Sequence, residues 1–254
     1  MKKLFKIIAL FLLGGFFGCP KASAGILAFE IIDIKSLGMG NGSLPGIGPV
    51  TPGAVPYGSP TFLNGVPFII TQDNGQVWNA TWAAGGDGSG DVTVTFPIVA
   101  NDIYGFYTVA NTYWGVAGTF TKYRFNFAGD GDANTPDFYE TLLTNGTHLR
   151  DFNRFTTTFQ NTINGTTTVQ VFQDPVEQTQ LDRQWIDLQA AGFGGRNLTS
   201  FTITDTGGWG ESRVFLVAAT AQTGAAGMVP EPGSASLAAL GLVTLLLNQR
   251  RCRR

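Results

Sequence analysis

Thr119-Phe120-Thr121-Lys122-Tyr123-Arg124-Phe125-Asn126-Phe127 decides the fold class. In an extended chain successive side chains point to opposite faces. Thr121, Tyr123, Phe125 and Phe127 therefore share one side, and Lys122, Arg124 and Asn126 the other. That is a strand with one dry and one wet face. Thr166–Phe172 repeats the pattern, with Thr167, Val169 and Val171 opposed to Thr168, Gln170 and Phe172.

Similar short runs, rich in Val, Ile, Thr, Phe and Tyr and bounded by Gly, Asn, Asp and Pro, fill the chain on both sides. The spacing predicts strands at Ile26–Ile34, Pro67–Thr71, Gln76–Trp82, Val92–Phe96, Tyr104–Ala110, Phe138–Leu143, Phe155–Gln160, Gln184–Gln189, Leu198–Asp205 and Arg213–Ala219. Asn145-Gly146 and Asn164-Gly165 fall between such runs, and Asn-Gly favours a two-residue hairpin turn with positive φ. Helical periodicity is nearly absent. Short strands in this number predict an all-β domain, a single β-sandwich of jelly-roll-like form over residues 25–228. Residues 36–66 are dominated by Gly, Pro and Ser without periodicity. They read as a long surface loop, or as a linker after an N-terminal strand.

The 254 residues suffice for one large domain. The net charge of -2 conceals an uneven distribution. Residues 25–228 hold 8 basic and 17 acidic side chains, whereas both ends are basic. An acidic body without a Lys/Arg cluster argues against nucleic acid, whose phosphates need cations.

Lys2, Lys3 and Lys6, the apolar run Ile7–Gly18 and the small residues Ala22-Ser23-Ala24 read together as a signal peptide over 1–24. The apolar run is short for a membrane span of roughly 20 residues. Gly18-Cys19 allows a lipoprotein reading, but Phe16 stands where such signals usually carry Leu. At the other end, Val229-Pro230-Glu231-Pro232-Gly233-Ser234 breaks regular structure. The uncharged apolar stretch Ser236–Leu247 is a helix former, and Arg250, Arg251, Arg253 and Arg254 end the chain. Arginines are costly to carry across a bilayer, so they would hold this end on the cytoplasmic side. Removal of both ends takes away Cys19 and Cys252, leaving a body without cysteine or disulfide.

In its Pro-Glu-Pro, apolar segment and terminal arginines, the tail 229–254 resembles the PEP-CTERM sorting tail of bacterial exported proteins. The resemblance covers about a tenth of the chain and is specific because three unlike elements occur in order at the very end. It implies recognition and removal of the tail by a membrane enzyme of the exosortase type, with the apolar helix as a transient transmembrane anchor. A plain C-terminal anchor without processing is the alternative. The segment 181–220, with Trp185-Ile186-Asp187-Leu188, Leu198–Ile203, Asp205-Thr206-Gly207-Gly208 and Phe215–Thr220, resembles the body of PEP-CTERM surface proteins. It is also loosely similar to galactose-binding-like jelly rolls, which implies the same fold.

Candidate chemistry is sparse. Asp130, Asp132, Asn134 and Asp137 place oxygen ligands on a turning loop, which suits a hard cation such as Ca²⁺. Thr135 and Thr141 stand where an EF-hand needs Gly and Glu, so a looser calcium loop or a solvated acidic turn is expected. Asp87-Gly88-Ser89-Gly90-Asp91 is a weaker second case, explained by turn chemistry. Trp78, Trp82, Tyr113, Trp114 and Trp209, with Tyr104 and Tyr107, lie near strand ends, where aromatic faces could stack on sugar rings. They equally suit a sandwich core.

His148 is the single histidine and follows a turn, which predicts a surface position. No Gly-x-Ser-x-Gly elbow accompanies it. Glu140 and Glu177 are the carboxylates a glycosidase would need, but nothing in the sequence pairs them. Four Asn-x-Thr triplets, at Asn79, Asn145, Asn164 and Asn197, read as turn chemistry. The expectation is a non-enzymatic bacterial cell-surface or extracellular-matrix protein, structural or adhesive and associated with polysaccharide. The alternatives are a calcium-stabilised carbohydrate-binding module and a polysaccharide-degrading enzyme.

Overall fold

The strand predicted from Thr119–Phe127 forms as β7 (Gly118–Phe127) in a computed structural model that describes residues 28–44, 55–84, 90–113, 116–131, 136–153, 159–207 and 213–224. The signal segment and the sorting tail lie outside these residues. Thr121, Tyr123, Phe125 and Phe127 are buried, while Lys122, Arg124 and Asn126 are half-buried on the far face. β7 is flanked by β8 (Phe138–Asn145) and β12 (Arg196–Asp205), both antiparallel. β12 carries β7 on one edge. Along its other edge run β5 (Val92–Phe96) and then the first residues of β6 (Ala100–Tyr113). β6 is long enough to leave this group and join another. There it lies between β11 (Thr179–Asp187) and β13 (Arg213–Thr223). β10 (Thr166–Asp174) and β9 (Gln160–Ile163) extend the sheet beyond β11, and β1 (Ala28–Ile32) and β4 (Trp78–Asn79) pair with β13. The result is an 11-stranded, curled, β-sandwich-like antiparallel sheet, with a separate hairpin of β2 (Gly58–Leu63) and β3 (Val66–Ile70).

Two apolar clusters hold the layers together. In the first, Phe96, Phe106, Tyr123, Phe125 and Phe201 pack beside Ile186, Leu216 and Ala221. Ring centroids of Phe106, Phe125, Tyr123 and Phe201 lie 4.8–5.1 Å apart. Burying one such side chain contributes roughly 1.5–3 kcal/mol. The second cluster lies on the other face of β13, where Val109, Leu181, Phe215, Val217 and Ala218 meet Leu63, Val66, Phe68 and Ile70 of the hairpin. β13 is thus buried on both faces over nearly its whole length. The bulge between Leu216 and Ala218 makes this possible. Val214 and Leu216 face the first cluster, and the extra residue Val217 shifts the alternation so that Ala219 and Ala221 face it too. A similar bulge between Gln170 and Phe172 puts Val171 and Phe172 together against the second cluster.

Three sequence expectations are corrected. Residues 36–66 are more than a surface loop: β2 lies within them, and Leu44, Val55 and Leu63 are buried in the second cluster. The β2–β3 connection is Asn64-Gly65, with φ of 49° and 79°, the geometry of a two-residue hairpin. Gln76–Trp82 is not one strand. β4 stops at Asn79, whose side chain accepts from the Thr81 backbone N–H and caps a single helical turn, α1 (Ala80–Ala83). Asn145-Gly146 does not make a tight hairpin, because the chain winds through a turn in which Leu149 N–H returns to Thr144 O. Asn164-Gly165 does, joining β9 and β10 with φ of 51° and 74°.

Candidate functional site

The outer face of β11 and β6, on the side of the second cluster, carries the main half-buried aromatic group. Along β11, Gln184, Ile186 and Leu188 are buried, so Arg183, Trp185 and Asp187 point the other way and are half-buried. Trp185 stands directly opposite Tyr107 of β6, and their rings stack with centroids 6.3 Å apart and planes 24° from parallel. Phe29 of β1 meets the edge of Tyr107 at 6.2 Å. The Arg183 guanidinium lies 5.2 Å from the Tyr107 centroid. Gly105, paired with Asp187, makes the group possible. A Cβ there would stand 2.6 Å from Trp185 Nε1 and 3.2 Å from Gln222 Oε1. Tyr107 Oη donates to that same Gln222 oxygen at 3.3 Å.

Electrostatics set this face apart. Burial pushes the Arg183 guanidinium below its ordinary range and the Tyr107 phenol above its own. Arg183 Nη1 donates to Leu63 O and Asn64 O in the β2–β3 turn, at 3.0 and 3.1 Å. Among the described residues no carboxylate reaches it. Among the described residues its Nε and Trp185 Nε1 are buried donors without an acceptor. Tyr107 was among the aromatics noted in the sequence; Trp185, Arg183 and Phe29 were not assigned to a site. The alternation of Arg183, Trp185 and Asp187 against Gln184, Ile186 and Leu188 would have placed Trp185 on the outer face.

The described aromatics expected to bind sugar are not gathered around the Trp185–Tyr107 pair. Trp78 is 3% exposed and packs in the first cluster, so it offers no ring to a ligand. Trp82, 37% exposed, lies against Gly42, where a Cβ would stand 1.6 Å from Cζ3 of its ring. Tyr113 is half-buried against the second cluster. Trp114 and Trp209 lie outside the described residues.

At the acidic loop, Asp132 and Asn134 are outside the described residues, and Asp130 and Asp137 meet a cation of the chain itself. Arg196 Nη2 is 2.6 Å from Asp137 Oδ1 and 3.4 Å from Asp130 Oδ2. The guanidinium is wedged near Phe127 and Phe193, 5.3 and 5.6 Å from their centroids. Its Nη1 donates to Pro136 O. Among the described residues no group of three His, Cys, Asp or Glu side chains could hold a metal ion.

His148 is buried rather than superficial, 2% exposed. Its Nδ1 accepts from Thr144 N–H at 3.0 Å, which leaves the ring proton on Nε2 to donate to Ile163 O at 3.2 Å. Burial holds its pKa below the ordinary value. Glu140 pairs with Lys122 and Arg124 at 3.2 and 3.4 Å on the wet face of β7 and β8. Glu177 sits in the β10–β11 turn, its N–H bonded to Asp174 Oδ1. Among the described residues two ion pairs are buried. Asp182 binds Arg150 and Asn111, and Asp205 binds Arg213 and the Val214 N–H. Burial pushes both carboxyls upward against the pull of their arginines.

Among the described residues no helix is long and apolar enough to cross a membrane, which says nothing of strands. No protein-family model matches the chain, and neither a curated protein nor a solved structure does.

Proposed function

We propose that this chain is an exported bacterial cell-surface or extracellular-matrix protein. It is sorted and processed through residues 229–254, and its body is a jelly-roll-like sandwich with a structural or adhesive, polysaccharide-associated role. The observation that carries this is the order of three unlike elements at the end of the sequence: Pro230-Glu231-Pro232, the apolar Ser236–Leu247, and Arg250, Arg251, Arg253 and Arg254. Such an order suits a segment stopped in the bilayer by its arginines, with the prolines kept extended on the outer side for an exosortase-type membrane enzyme. Transient membrane anchoring through the apolar segment then precedes cleavage.

The body supports the division. Among the described residues the buried members of both clusters run from Ile32 to Ala221. Ala28 and Thr223 pair at the ends of β1 and β13. A binding or structural role suits it better than catalysis, since Glu140 is engaged by Lys122 and Arg124.

The test is the intact mass of the protein recovered from its native cells. Loss of both ends is expected. A full-length mass, or unchanged trafficking after deletion of 229–254, overturns the proposal.

A further inference from the structure

We infer that the outer face formed by Trp185, Tyr107 and Arg183 binds a neutral hexose unit of a polysaccharide. The inference gives the polysaccharide-associated role its contact surface. It rests on that reading only for the class of ligand.

The argument is one of chemistry in register. Trp185 and Tyr107 are opposite each other across an antiparallel pair, so both rings are fixed by backbone hydrogen bonds rather than by a loop. Their planes differ by only 24°, and Trp185 lies over Gly105, which has no Cβ, so the pair gathers aromatic surface from two strands at one place. The axial C–H groups of a pyranose stack on such a surface, and few other soluble ligands combine an apolar face with a rim of hydroxyls.

The polar groups that a hydroxyl rim needs flank the pair on the same face of β11. Arg183 stands on one side of Trp185 and Asp187 on the other. Arg183 Nη1 is taken by the two turn carbonyls, and Nη2 has no partner among the described residues. Asp187 keeps acceptor capacity beyond its bond from Ala190 N–H. Arg183 and Asp187 are four residues apart along the strand, roughly 13 Å, so a donor and an acceptor stand on opposite sides of the rings, where they meet hydroxyls on opposite rims of a stacked sugar.

Charge selects the neutral sugar over an acidic one. The body holds 17 acidic against 8 basic side chains, and on the face itself Asp187 offsets Arg183. A polyanionic glycan would be repelled.

The test is affinity electrophoresis of the full-length chain in gels containing dextran, hydroxyethyl cellulose, xyloglucan, laminarin or polygalacturonate. Retardation by at least one neutral glycan is expected. It should weaken at least tenfold in Trp185→Ala and persist in Tyr107→Phe, which keeps the ring. If Trp185→Ala does not fold by circular dichroism, Trp185→Leu and Arg183→Gln carry the same comparison. Retardation by no neutral glycan, by polygalacturonate alone, or equally in folded Trp185 variants overturns the inference. These outcomes are independent of the intact mass, so failure of glycan binding and failure of the sorting proposal are read separately.

Discussion

Asp182 accepts a hydrogen bond from Arg150 Nε at 2.7 Å, and a second from Nη2, at the point where β11 parts from β6. The space between the separating strands is filled by the segment around Arg150, whose carbonyl accepts from Thr112 N–H. Asn111 closes the group by donating to Asp182 Oδ2 and accepting from Asp182 N–H. The carboxylate is fully buried, so its solvation is replaced entirely by these partners.

Removing one member should therefore cost more than removing both charges. Asp182→Ala strips the buried guanidinium of its carboxylate and should destabilise the protein by roughly 3–5 kcal/mol. The double change Arg150→Met with Asp182→Leu should cost less than Asp182→Ala alone, because no buried charge remains. Denaturant midpoints of the three proteins check this, and a double variant weaker than the single one refutes it.

His148 gives the stability a pH dependence of known sign. Its folded pKa is depressed by burial, whereas in the unfolded chain it is near 6.5. The unfolded state thus binds the proton first as pH falls. Stability is full above about pH 6.5 and declines below it. Protonation at Nδ1 also breaks the bond from Thr144 N–H. The melting temperature should fall between pH 7.5 and 5.5, and the slope should flatten in His148→Gln. An unchanged slope in that variant assigns the effect elsewhere.

The strands were legible wherever one face is wet. Val92–Phe96 was placed to the residue, and Thr119–Phe127 within one residue, because Thr and charged side chains alternate with Val and Phe. Where both faces are dry the period vanishes. Arg213–Thr223 contains Phe215-Leu216-Val217-Ala218-Ala219, an unbroken apolar run whose second covering layer no alternation announces. The same hidden layer explains why 36–66 read as a loop: its buried Leu44, Val55 and Leu63 are spaced too far apart to show a pattern. Trp78 lies in the first cluster, and the cap at Asn79 ends its strand one residue later. The outer aromatic face required strand order, as Trp185 and Tyr107 are 78 positions apart and meet only through the β6–β11 register.

The β2–β3 turn had a signal that composition obscured. Asn64-Gly65 is the same dipeptide as Asn164-Gly165, and both Gly residues take positive φ. A Cβ on Gly65 would touch nothing within 4 Å, so Gly65→Ala meets only the backbone penalty of the left-handed region, about 1 kcal/mol. Gly42→Ala should cost clearly more, because its Cβ would collide with the edge of the Trp82 ring. Unfolding free energies in that order are expected. Equal losses would show that the Trp82 side chain moves aside freely.

Arg196 makes a prediction about calcium that separates the loop from its neighbours. Its guanidinium already neutralises Asp130 and Asp137, and a divalent cation on those carboxylates would stand against a fixed positive charge. A ligand that binds only the folded state must raise its stability, by RT ln(1 + [L]/Kd). The melting temperature of the natural sequence should therefore be the same in chelator and in millimolar Ca²⁺. Arg196→Gln removes the competing charge while keeping a polar group between Phe127 and Phe193. That variant should melt lower in chelator and recover part of the loss when Ca²⁺ is added. A rise with Ca²⁺ in the natural protein would mean that the loop around Asp130 and Asp137 accepts the ion beside Arg196.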